Sequence, residues 1–162
     1  MTVLSTTPDP ESLTFTIVAE FAAPPAAVWR LWADPRRLER WWGPPTWPAT
    51  FAEHDLAVGG RSHYWMTGPE GREAHGWWHV TAVDEPRSLE FEDGFAHPDG
   101  TRDDAMPVTR TRVDLEATDE GCRMTGVSRF ANAEQMQQLV EMGMAEGMRL
   151  AMDQMDDLLV AV

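Results

Sequence analysis

Six short runs of strand-like sequence follow one another between residues 48 and 130, at 48–55, 61–66, 76–83, 88–93, 107–117 and 122–130. With the alternating Leu13 to Phe21 they make about seven strands at hairpin spacing, a pattern that dictates an antiparallel meander. The breaks between runs carry turn chemistry: Gly59-Gly60, Gly68-Pro69-Glu70-Gly71, Asp84-Glu85-Pro86 and Thr118-Asp119-Glu120-Gly121. If the last of these pairs Ala117 with Cys122, then Val113 faces Gly126, Leu115 faces Met124 and Glu116 faces Arg123. Apolar and charged faces then match across the hairpin, which fixes its register.

Helical sequence brackets the meander. Ala22-Ala23-Pro24-Pro25 ends the first strand and opens a short helix that places Val28, Leu31 and Trp32 on one face. Asp34-Pro35 starts a second short helix, which runs past Leu38 and Trp41 and stops at Gly43-Pro44-Pro45. Residues 95–107, with Gly100 and several Pro and Asp, read as a long exposed loop of the kind that forms lids or entrances. Asn132 caps a final helix, with Gln135 at the capping-box position. That helix is expected to run unbroken from Ala133 to about Val160, some ~40 Å. Its apolar stripe passes through Met136, Val140, Gly143 or Met144, Gly147 or Met148, Ala151, Met155 and Leu158. The expected architecture is α+β: one domain over residues 13–162, with residues 1–12 as a flexible tail.

Composition narrows the partners. The net charge is -14, and all 13 basic residues are arginine. A chain without a cationic footprint is unsuited to nucleic acid and to anionic membrane surfaces. Absence of lysine excludes Schiff-base chemistry and a Walker-type phosphate loop. Cys122 is the only cysteine, so neither an intrachain disulfide nor a thiolate zinc cluster forms, and it reads as a small buried hydrophobe. Residues 1–12 lack the features of a signal peptide, and no stretch approaches a membrane span, so a cytoplasmic location is expected. The 8 Trp and 10 Met against one Tyr are unusual, and these large, adaptable side chains must fill or line something.

Strand, two short helices, meander and long helix is the order of the helix-grip fold. Ala23-Pro24 before Val28-Trp29, Trp41-Trp42-Gly43-Pro44, Val58-Gly59-Gly60-Arg61, Gly76 opening a strand, and Glu85-Pro86-Arg87-Ser88-Leu89 together resemble the START and birch-pollen-allergen (SRPBCC) superfamily. The branch they resemble is that of the activators of the ninety-kilodalton heat-shock protein ATPase. The resemblance implies a cavity between sheet and helix; it does not imply one activity, because members bind lipids or natural products, cyclise polyketides or assist a chaperone. A lone small domain without a second module departs from the chaperone activators, which speaks against a chaperone partner.

Alternation and resemblance together place Ser62, Tyr64 and Met66 inward, and Arg61, His63 and Trp65 outward. Trp78, Val80, Leu89, Phe91, Val113, Leu115 and Met124 continue the inward face. Gly143 and Gly147, four apart on the last helix, form either a notch for a ligand or a seat for a bulky group such as Trp78. Leu139 and the methionines 142, 144 and 148 accompany them. Trp41 and Trp42 sit at the expected cavity mouth, where anchoring their helix is the alternative role. The candidate ligand-binding set is therefore Trp42, Tyr64, Met66, Trp78, Phe91, Val113, Met124, Leu139, Gly143 and Gly147.

No cofactor or metal is expected. His75 and His79 lie ~13 Å apart along a strand, too far to share a zinc ion. Glu90, Glu92, Asp114 and Glu116 fall on the outward face, and no serine–histidine–acid constellation occurs. If there is chemistry, Tyr64 with Ser62, Thr111 or Ser128 carries it. The expected function is non-catalytic binding of a small, largely apolar, aromatic or polycyclic molecule, in sequestration, transport or sensing. The alternatives are a polyketide cyclase-like enzyme and a chaperone-activator-like interaction module using outward Trp65 and Trp77. A homodimer is compatible with these readings.

Overall fold

The computed structural model describes residues 3–160. Eight antiparallel strands form one curved sheet: β1 (Val3–Asp9), β2 (Thr14–Phe21), β3 (Ala49–His54), β4 (Arg61–Thr67), β5 (Glu73–Asp84), β6 (Ser88–Ala96), β7 (Thr109–Thr118) and β8 (Gly121–Arg129). Their spatial order is β1-β2-β8-β7-β6-β5-β4-β3. β3 to β8 are the meander; β2 pairs with β8, and the chain then crosses to β3 at the opposite edge through α1 (Pro25–Ala33) and α2 (Pro35–Leu38). The β7–β8 hairpin has the expected register, with Val113 opposite Gly126, Leu115 opposite Met124 and Ala117 opposite Cys122.

Three boundaries differ from expectation, the smallest being α2, which ends at Leu38 and continues as turn through Trp41. Residues 3–9 form strand β1, paired with β2, where a tail was expected. β1 is an edge strand with most side chains exposed, so it lacks the alternation that would announce it, and Pro8 is tolerated because one flank of the strand is unpaired.

The single C-terminal helix is three: α3 (Ala133–Glu141), α4 (Met144–Asp153) and α5 (Met155–Val160). The first break is at Gly143, whose φ of 85° is left-handed backbone that glycine enters without penalty. The apolar stripe continues across this break, so periodicity alone does not reveal it. Asn132 caps α3 as expected, its side chain accepting from the Gln135 N–H at 2.8 Å. The reciprocal half of the capping box does not form, since Gln135 Oε1 has no partner.

Polar clamps hold the crossover to the sheet. Arg36 donates to the Phe51 carbonyl at 2.6 Å, and Glu39 accepts the Phe51 N–H at 3.0 Å. His54 Nε2 lies 2.8 Å from the Trp32 carbonyl and Nδ1 lies 2.7 Å from Ser62 Oγ. The carbonyl only accepts, so Nε2 carries the proton and Ser62 donates to Nδ1. Burial pushes the His54 pKa down, in keeping with that neutral tautomer. From α5's side, Gln154 donates to the Gly43 carbonyl at 2.8 Å, tying the Trp41–Trp42 turn to the C-terminal helices.

The outer face of the sheet is also organised. Trp77, expected to be exposed, is buried there in the space that a side chain on Gly94 would fill. Arg102, from the loop after β6, lies over its ring at 3.9 Å. That loop therefore folds onto the outer face. Trp65 is half-buried beside His63 and His75, so the two tryptophans do not form an exposed apolar patch.

Candidate functional site

Between the concave face and α3–α4 lies a cavity of about 450 Å³. The sheet contributes Met66, Phe91, Asp93, Thr111 and Val113 among others, and the crossover contributes Trp32, Trp41 and Trp42. The helical wall is Leu139, Met142, Gly143, Met144, Gly147 and Met148. Side chains added at Gly143 or Gly147 would meet nothing within 4 Å, so both glycines face open space and neither seats Trp78. They differ in geometry: Gly143 precedes α4 in left-handed backbone, whereas Gly147 is an ordinary residue within it.

Seven of the ten candidates line the cavity: Trp42, Met66, Phe91, Val113, Leu139, Gly143 and Gly147. Three do not, although all three point to the inner face. Trp78 is 1% exposed and stacks on Phe91 with ring centroids 4.0 Å apart, so Phe91 and Trp42 separate it from the space. Met124 is packed in the core opposite Leu115 and Ala19. Tyr64 is drawn sideways. Its strand partner Gly76 has no side chain, and a Cβ there would overlap the tyrosine ring. The ring thus lies across β5 and delivers its hydroxyl to Asp93 on β6.

Asp93 is the functional candidate that the sequence reading missed. Leu89 and Phe91 face inward, and the same alternation carried two residues further turns Asp93 inward as well, since β6 extends to Ala96. Tyr64 Oη donates to Asp93 Oδ1 at 2.9 Å. Asp93 retains accessible area although it lies deep beneath the surface, because that area opens into the cavity. Burial raises its pKa to about 7, against a smaller downward effect of the Tyr64 hydrogen bond. Burial, and then the neighbouring carboxylate, push Tyr64 well above the usual phenol range. Near neutral pH the carboxyl thus exchanges between acceptor and donor forms while the phenol stays protonated.

The other polar groups of the cavity are few. Thr111 and Ser128 satisfy each other at 3.2 Å. The Trp41 N–H donates to the Leu31 carbonyl at 2.9 Å. The buried indole N–H groups of Trp32, Trp42 and Trp78 have no hydrogen-bond partner. Trp42 acts on the Tyr64 oxygen from a distance, opposing its pKa rise, but does not reach hydrogen-bond geometry. Each of these nitrogens is sealed within the aromatic packing, so they are unpaired donors of the core and not contact points for a bound molecule. The chemistry present is an aromatic and methionine-lined container with one titratable carboxyl. Among the described residues no group of three or more metal-ligating side chains occurs.

Residues 22–160 match the profile of the family described as activator of Hsp90 ATPase homolog 1-like protein. The chain belongs to this family. Solved structures extend the likeness over the full length of this family member. A protein from Arthrobacter aurescens is 52% identical with a TM-score of 0.94, covering 99% of this chain and 94% of the other. One from Mycobacterium smegmatis is 47% identical with a TM-score of 0.91, covering 99% and 98%. A Rhodobacter sphaeroides protein, 23% identical at a TM-score of 0.83 over 98% and 99%, shares the fold. No curated protein matches the chain. Among the described residues no helix is long and apolar enough to cross a membrane.

Proposed function

We propose that this family member binds a small, largely apolar, aromatic or polycyclic molecule in the cavity between the sheet and α3–α4, for sequestration, transport or sensing. The observation that carries this reading is the wall itself: a space of about 450 Å³ bounded by tryptophans and methionines. Such a site gains from an apolar body that displaces water. Methionine beside glycine on the helical wall lets the space adapt to several shapes.

Calorimetric titration of the wild type and of Gly147→Phe against a panel of polycyclic natural products tests the reading. Saturable binding to the wild type, weakened at least tenfold by the added ring, is expected. If no compound binds, the proposal falls.

Asp93 gives a specific footing to a second reading, an acid–base enzyme of the polyketide cyclase kind. A carboxyl that titrates near neutral pH inside an apolar site is suited to moving a proton on a bound carbonyl compound. Turnover of a poly-β-ketone substrate that disappears in Asp93→Asn while binding persists would select this reading over simple binding.

A further inference from the structure

Resting on the binding reading above, we infer that the cavity's ligand is an organic cation, an aromatic or polycyclic amine whose ammonium group pairs with Asp93. Three independent features of the wall converge on this chemistry.

The first is the sign of the wall. Among the described residues Asp93 is the one ionisable side chain on the cavity surface, and no arginine or histidine lines it. A carboxylate-bearing ligand such as a fatty acid would meet no counter-charge and would face an acid of its own sign. A wholly neutral, apolar ligand would seal Asp93 away from water with Tyr64 as its one recorded partner, on one of its two oxygens. An ammonium group supplies both the charge and the donors that the other oxygen lacks.

The second is the aromatic surround. Trp32, Trp41, Trp42 and Phe91 line the same space. Trp42 stands 5.9 Å from Tyr64, which holds Asp93, so the carboxyl and an indole belong to one corner. An aromatic ring beside a carboxylate is an arrangement that suits an alkylammonium held away from water. The third is the field of the molecule. A net charge of -14 raises the local concentration of cations and lowers that of anions at every opening of the surface.

Among the described residues no other titratable group intervenes. Facing Asp93 from β4 is Tyr64, which stays protonated; its pairing partners are Trp78 on β5 and Thr109 on β7; the helices opposite offer leucine, methionine, glycine and alanine. Amine binding therefore draws on the Asp93 carboxylate alone, and it weakens as pH falls below about 7 because a proton competes for the same oxygens.

Three naphthalene probes of one ring system decide the matter: 1-naphthylmethylamine, 1-naphthalenemethanol and 1-naphthoate, titrated calorimetrically into the full chain at pH 8 and pH 6. The amine should bind ~10- to 100-fold more tightly than the alcohol at pH 8, the usual worth of a buried charge-assisted hydrogen bond. It should lose most of that margin at pH 6, and naphthoate should bind weakest. Asp93→Asn keeps the Tyr64 contact available and should bring amine and alcohol to within ~3-fold of each other, with near-ultraviolet circular dichroism confirming the fold. Equal or tighter binding of the alcohol or the acid to the wild type overturns the cation assignment and leaves the binding reading standing. Absence of binding by all three probes, together with failure of the wider panel, overturns both.

Discussion

A carboxyl placed in an apolar wall destabilises the fold that holds it, and the sign follows from linkage. Asp93 has its pKa raised in the folded chain to about 7, above its ordinary value of 3.8. Between those two values the folded state binds the proton and the unfolded state releases it, so stability is greatest below the unfolded pKa and declines as pH rises through the folded one. Asp93→Asn removes this dependence. Relative to the variant, the wild type should lose on the order of 3 kcal/mol between pH 5 and pH 8, read from urea midpoints at the two values. A parallel pH profile for the two proteins would show that the carboxyl is not buried in solution. Tyr64→Phe removes the one hydrogen bond that holds the Asp93 pKa down, and the side-chain carboxyl resonance in NMR should titrate at a higher pH than in the wild type.

At the scale of elements, the two glycines of the helical wall make opposite predictions. Gly143→Ala forces a Cβ into left-handed backbone at the α3–α4 junction and should cost about 1 kcal/mol. Gly147→Ala adds a methyl to ordinary helix with empty space before it, and should stabilise by about 0.5–1 kcal/mol while trimming the cavity. Thermal melts of the two variants should move in opposite directions. This contrast also marks the reach of sequence reasoning. The β7–β8 register was legible because both faces of the hairpin carry matched residues, so a slip would misplace every side chain. The break at Gly143 was not, because the expected stripe through Met136, Val140, Met144 and Met148 keeps the same spacing on either side of it. β1 was illegible for a related reason: an exposed edge strand has no buried face to write an alternation. Of the site, the strand and helix positions that line the cavity followed from period and resemblance. What period two cannot convey is depth, which separates lining Phe91 from Trp78 stacked behind it. Nor does it mark the sideways lean of Tyr64 over Gly76, which depends on a neighbouring strand.

The whole molecule carries its excess of acid on a small surface. Several exposed arginines are engaged already: Arg112 with Glu90 and Asp114, Arg123 with Glu20, and, on α4, Arg149 with Glu146 and Asp153. These exposed pairs contribute little individually. The net repulsion of -14 is left to solvent ions, so raising sodium chloride from 10 to 300 mM should increase the melting temperature by screening it. A decrease would mean that the ion pairs outweigh the repulsion.

The tryptophans on and behind the cavity wall have one more property. Trp32, Trp41, Trp42 and Trp78 form a connected cluster with neighbouring ring centroids between 4.7 and 6.2 Å apart. Over such distances excited-state energy passes from ring to ring faster than it is emitted, so the four indoles behave as one chromophore. A guest that quenches the ring it touches should therefore lower the emission of its neighbours as well. The protein thereby contains its own optical gauge of whether the container is empty or occupied.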